Sequence, residues 1–140
     1  VPRIICLDIG TVRIGVAVSD PLGMFAQGIA VWKAEANWMD ELEKTFERYD
    51  TSCLLLGLPI REDGTIGPSA QHVQEVASRI QQRFPMVTLK FWDERYSTRT
   101  ATDFLLEGNV SRKKRRKSVD KIAASVILQS YMDSEGAERF

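Results

Sequence analysis

No stretch of the 140 residues approaches the roughly 20 consecutive apolar positions that a membrane-spanning helix needs, and the N-terminus carries no signal-peptide pattern. There is one histidine, His72, which cannot build a zinc site alone. There are two cysteines, Cys6 and Cys53, each inside an apolar run and without CxxC or histidine spacing, which suggests neither zinc nor a disulfide framework and suits a reducing cytosol. Net charge is also lacking, since 19 Lys+Arg balance 19 Asp+Glu. No internal repeat or linker interrupts the chain, so residues 1–140 are expected to form one soluble, cytoplasmic domain with no membrane contact. The chain opens at Val1 without Met, and we expect a short N-terminal piece to have been removed.

The charge that is present is unevenly placed. Arg112, Lys113, Lys114, Arg115, Arg116 and Lys117 hold six of the nineteen positive charges, leaving thirteen against nineteen acids elsewhere. So dense a like-charged run is unstable as an isolated helix and is expected to be a loop.

Hydrophobic patterning predicts an α/β domain. Arg3 to Ile9 and Arg13 to Ser19 are β-prone runs joined by Gly10-Thr11-Val12, a hairpin-like connection, and Gln27 to Lys33 extends them into a three-stranded antiparallel meander. Met39, Leu42, Phe46 and Tyr49 then fall at helical spacing within Trp38 to Tyr49. Cys53 to Leu58 is a continuous apolar run, the mark of a strand buried on both faces and parallel to its neighbours. A helix from Ser69 to Phe84, ended by Pro85, a fifth strand from Val87 to Trp92, and a helix capped by Ser97 and stopped by Gly108-Asn109 follow. Ser118 is expected to cap a last helix reaching Met132, with a frayed tail from Asp133.

Three acidic positions stand out. Asp8 lies near the end of the first strand, where a carboxylate among apolar residues is costly to bury unless it is paired or bound to a cation; otherwise it turns to water or caps the hairpin. Asp93 and Glu94 follow the apolar Phe91-Trp92, at the strand end where open α/β sheets place ligand groups. Adjacent strand residues point to opposite faces, so one of the two should approach Asp8 while the other caps the turn or pairs with Arg95. Asp120 sits in the first turn after Ser118, where an acid also satisfies the helix dipole, but helical spacing puts it on the stripe of Ala123, Ala124, Ile127 and Tyr131. Carboxylates from strand ends and a helix start suit Mg²⁺ or Mn²⁺, and a pair of such ions can activate water and clamp a phosphodiester. Asp8 would be the bridging ligand.

These positions lie in four ordered blocks. They are Leu7 to Asp20 (LDIGTVRIGVAVSD), Gly57-Leu58-Pro59 with Asp63-Gly64-Thr65 and Gly67-Pro68, Asp93-Glu94-Arg95 with Ser97-Thr98, and Asp120 with Ala123-Ala124 and Ile127-Leu128-Gln129. Together they span nearly the whole chain and resemble the YqgF family. The resemblance implies an RNase H-like fold, with a five-stranded mixed sheet flanked by helices, and a divalent-metal nuclease of bacterial type acting in pre-16S rRNA processing or Holliday junction resolution. It implies catalytic, metal-binding acids at Asp8, in the Asp93/Glu94 pair and at Asp120.

Given the resemblance, the run Arg112 to Lys117 is expected to contact nucleic acid, together with Arg13 and Arg95. Gly64 and Gly67 either approach a phosphate or serve turn geometry alone, and Trp92 and Tyr96 are either core or base-stacking platforms. Two other readings remain. Asp8-Ile9-Gly10-Thr11 also looks like the phosphate hairpin of actin-like ATPases, which need two such domains where this length supplies one. A non-catalytic binding module of the same fold is the other, and the survival of all the acids speaks against it.

Overall fold

A computed structural model describes residues 2–96 and 112–134, with side chains except at 96 and 112–121. Five strands form one mixed sheet: β1 (Ile4–Ile9), β2 (Arg13–Ser19), β3 (Ala26–Lys33), β4 (Cys53–Leu58) and β5 (Thr88–Asp93), in the order β3-β2-β1-β4-β5. The first three form the antiparallel meander, whereas β4 lies parallel to both β1 and β5. Parallel neighbours require crossovers, supplied by α1 (Trp38–Arg48) before β4 and α2 (Pro68–Arg83) before β5. A 3-10 turn (Glu94–Tyr96) follows β5, and α3 (Arg112–Asp133) closes the described chain.

The alternation of side chains divides the core into two layers. Ile5, Leu7, Leu54 and Leu56 face α1 and α2, meeting Trp38, Leu42 and Phe46 on the first and Val73, Val76 and Ile80 on the second. Cys6, Ala17 and Leu55 face the other way and meet Ala124, Ile127, Leu128 and Tyr131 of α3. All six residues of β4 are buried, as its unbroken apolar run requires. Truncating a fully buried residue such as Leu55 to Ala should cost about 2–5 kcal/mol.

Helix boundaries follow local chemistry. Pro68 occupies the first turn of α2, where its missing N–H costs nothing, and the helix ends at Arg83 ahead of Pro85. Asp20 fastens the β2–β3 turn by accepting the N–H groups of Met24 (2.7 Å) and Phe25 (3.0 Å).

One expectation is corrected. Arg112 to Lys117 is not a loop, and Ser118 lies within the helix rather than at its start: α3 starts at Arg112 and runs unbroken to Asp133. Lys and Arg are good helix formers, and the segment from Ala123 to Tyr131, anchored on the sheet, supplies the costly nucleus from which the helix extends backwards through the cations. That gain outweighs their repulsion and their unfavourable place at a helix start. The helix expected after Ser97 lies outside the described residues.

Candidate active site

Asp8 occupies the next-to-last position of β1, paired with Gly15 of β2. On the other side, the register that sets Leu7 against Leu56 brings Asp8 beside Gly57, itself paired with Trp92 of β5. Cross-strand partners share a face, so Asp8 lies on the α3 side, in a lane where both neighbouring strands contribute only glycine. The half-buried carboxylate therefore stands in a trough rather than among side chains.

The two acids after β5 part company. Asp93 pairs with Leu58, whose side chain belongs to the α1/α2 layer, and so points away from Asp8. Its carboxylate is held by Arg95, which donates from the backbone N–H (2.9 Å), Nε (2.8 Å) and Nη2 (2.6 Å). Partial burial raises the Asp93 pKa, but these bonds and the guanidinium charge outweigh it and hold the carboxyl below its ordinary value.

Glu94, two residues beyond Trp92, returns to the α3 side. There its carboxyl hydrogen-bonds to Asp8. Burial above all, then that bond and the charges of Asp8 and Asp93, push the Glu94 pKa up to about 9. At neutral pH one proton therefore sits between the two carboxyls. Beneath them Cys6, fully buried, is pushed well above the usual thiol range by burial and by the charges of Asp8 and Glu94, so it remains a neutral thiol.

Space for Glu94 depends on Gly57. A Cβ there would stand 2.6 Å from Glu94 Oε1 and 2.8 Å from Ile127 Cδ1 of α3. The sequence motif alone assigns Gly57 no role; its signal is a lone glycine inside an otherwise apolar buried strand. Trp92 is half-buried, its ring 5.4 Å from that of Tyr131 and its indole N–H donating to Ser130 Oγ (3.3 Å), so it packs the α3 layer.

The β4–α2 loop lies beside the Asp93–Arg95 pair. Gly64 has φ +86°, which glycine adopts readily, and Asp63 Oδ1 accepts both the N–H (3.0 Å) and the hydroxyl (2.6 Å) of Thr65. Gly67 lies under the guanidinium of Arg61, whose Nε would be 2.5 Å from a Cβ. Both glycines are thus explained by turn geometry and close packing. Asp120 belongs to α3, one turn ahead of Ala123 and Ala124 on the sheet-facing layer, and its side chain is outside the described set. Among the described residues no three His, Cys, Asp or Glu side chains form a metal cluster.

Known proteins are similar to this chain. A family model described as "RuvX: Holliday junction resolvase" matches residues 2–134. The chain belongs to that family. Among members, the protein named "Putative pre-16S rRNA nuclease" from Clostridium botulinum strain Hall is 45% identical over 134 residues, covering 94% of this chain and 97% of that protein. Its counterpart from strain Eklund 17B is 43% identical over 133 residues, covering 94% and 96%.

Solved structures agree on the fold of this RuvX-family chain. Fowlpox virus resolvase, determined with its substrate Holliday junction DNA, matches at TM-score 0.56 and 17% identity over 94% of this chain and 97% of that one. Thermus thermophilus RuvC, in complex with a Holliday junction substrate, matches at 0.56 and 11% over 94% of each. The chain therefore has the RNase H-like resolvase fold, as its motifs imply. No helix among the described residues is long and apolar enough to cross a membrane.

Proposed function

We propose that this chain is a divalent-metal-dependent nuclease that hydrolyses phosphodiester bonds in the cytoplasm, with structured precursor RNA such as pre-16S rRNA, or four-way junction DNA, as substrate. The observation that carries the reading is the Asp8–Glu94 pair, two carboxyls hydrogen-bonded to one another in a glycine-lined trough. Two carboxyls this close are held together by a shared proton or by a shared cation. An oxygen-only donor set of this kind fits Mg²⁺ or Mn²⁺.

Asp8 and Glu94, with Asp120 brought by α3, are the ligands in this reading; Asp93 instead orients Arg95. Bound there, the metal would activate water and offset charge on the phosphate. The chain's own contribution is rigid placement. Asp8 is fixed by its pairing with Gly15 and by the Leu7–Leu56 pair beside it, Glu94 and Ile127 both pack over Gly57, and the α3 layer closes the far side of the trough. Arg13, Arg95 and the run from Arg112 to Lys117 supply cations for the phosphate backbone.

Asp8→Asn tests the reading, since it removes charge and keeps shape. The variant should bind precursor rRNA and four-way junctions like the parent, melt at a similar temperature, and lose Mn²⁺-dependent cleavage of both. Cleavage at near the parent rate in Mg²⁺ and Mn²⁺ would sink the metal mechanism.

A further inference from the structure

Beside the acids lies a cavity that the metal chemistry does not use. It occupies about 390 Å³ at the ends of β2 and β3 and is lined by Thr11, Val12, Arg13, Val31, Trp32 and Lys33, with Glu35 at its margin. Arg13 and Lys33 are cross-strand partners, and Val31 pairs with Gly15, the partner of Asp8. Parity therefore puts Val31, Arg13 and Lys33 on the Asp8 side of the sheet. The cavity opens one or two strand spacings from the acids, roughly 5–10 Å laterally.

Its walls are preformed. Gly10 N–H donates to Arg13 O (2.9 Å), closing the β1–β2 hairpin, and Ala34 N–H donates to Val12 O (2.9 Å), tying the hairpin tip to the end of β3. Val12 nevertheless leaves 65% of its surface in solvent, an apolar side chain held out beside a cationic rim. Trp32, paired with Ile14, turns its side chain to the α1/α2 layer, so Val12 and Val31 give the cavity its apolar wall.

We infer that this cavity binds one unpaired nucleotide of the substrate strand next to the cleaved bond, its base against Val12 and Val31 and its phosphate against Lys33 and Arg13. The inference rests on the nuclease reading only for the words "next to the cleaved bond". An apolar wall under a cationic rim fits a nucleotide whose base face is exposed, which a strand offers and a paired duplex withholds. The volume lies within the roughly 300–1,000 Å³ of small-molecule sites. The single acid at the margin, Glu35, is exposed and is outnumbered by Lys33 and Arg13, so the rim stays net positive.

Fluorescence anisotropy on the full chain in EDTA tests this, with a labelled uridine-rich RNA strand and the matching duplex titrated across salt. Lys33→Gln should lower single-strand affinity roughly five-fold at 0.1 M salt and reduce the salt slope by about 0.7, the loss of one phosphate contact. Val12→Ser, at an exposed position where folding is not at stake, should weaken strand binding several-fold, leaving the salt slope and duplex binding unchanged. Unchanged strand affinity in both variants overturns the inference, as does an equal loss on strand and duplex from Val12→Ser. A loss from Lys33→Gln alone also overturns it, since a phosphate contact without a base pocket is a different site. Cleavage is absent in EDTA, so failure of the metal mechanism leaves this test intact, and a parent that cleaves while both variants bind normally defeats this inference alone.

Discussion

Gly57 and Glu94 fit each other as space and occupant: a methyl group on Gly57 would come within 2.6 Å of Glu94 Oε1 and 2.9 Å of Glu94 Cγ. Alanine is ordinarily better than glycine in a strand by roughly 0.5–1 kcal/mol. Here the added carbon also meets Ile127 Cδ1 at 2.8 Å, so both the acid and α3 must give way. Gly57→Ala is therefore expected to destabilise by about 1–3 kcal/mol, the cost of overpacking, and to depress cleavage by displacing Glu94. Urea unfolding and Mn²⁺-dependent cleavage report the two effects separately. A variant as stable and active as the parent would show that Glu94 does not need this space.

The neighbouring acids should behave differently. Glu94→Gln removes the carboxylate beside Asp8, and its loss of cleavage should exceed the roughly 10–100-fold typical of groups that only support a ligand. Asp93→Asn breaks an ion pair whose side chains are 22% and 32% exposed, worth at most about 1 kcal/mol. It should retain most activity. Rates in the reverse order would exchange the roles of the two residues.

That division between Asp93 and Glu94 was half legible in the sequence. Strand alternation implied that only one of two adjacent acids faces Asp8, with the other capping the turn or pairing with Arg95, and in the structure it is Asp93 that pairs with Arg95. Which one does so depends on the parity of β5 relative to β4, and on the strand reaching Asp93 rather than Trp92. Neither quantity is written in the local pattern. The strands themselves were legible because their apolar periods are set by burial on one or both faces, and β2 and β4 have the bounds their runs predict. The start of α3 was not, because charge density argued against a helix whose support comes from Ala124, Ile127 and Tyr131, several residues downstream and across the sheet. Lys33 was overlooked as a partner of Arg13; the hairpin register, counted from the Gly10 turn, carried that signal.

Stability should depend on pH through the acid pair. Glu94 titrates near 9 in the folded chain and near the ordinary 4.5 when unfolded, so between these values the folded state holds a proton that the unfolded state has lost. Stability from this group is fully present below the unfolded pKa and falls as pH rises toward the folded one. Because the carboxyls interact, the step belongs to the Asp8–Glu94 pair rather than to one residue. In EDTA, Glu94→Gln should gain in melting temperature relative to the parent as pH rises from 5 to 9. With Mg²⁺ or Mn²⁺ added at pH 7, the parent should release about one proton on binding, measurable by calorimetry in buffers of different ionisation enthalpy. Parallel melting curves and no proton release would mean that the pair neither shares a proton nor surrenders it to a metal.

The last expectation concerns α3, which places the run from Arg112 to Lys117 and Asp120 on one continuous helix. The two features should separate by assay. Neutralising all six cations should weaken binding to every sequence alike and, if all engage one strand, lower the salt slope by about 0.7 × 6 ≈ 4. It should also relieve repulsion at a helix start, so the variant should melt no lower than the parent. Asp120→Asn should leave the salt slope in place. If Asp120 served only the helix dipole, its replacement would cost no more than about 0.3–1 kcal/mol and leave cleavage intact. As a metal ligand it should instead cost most of the cleavage rate, recover part of it at high Mn²⁺, and leave the metal-free protein at least as stable, because one like charge near Asp8 and Glu94 is gone. Intact cleavage with a slightly lower melting point would reduce the site to Asp8 and Glu94. A changed salt slope would place Asp120 among the groups that set strand binding rather than metal binding.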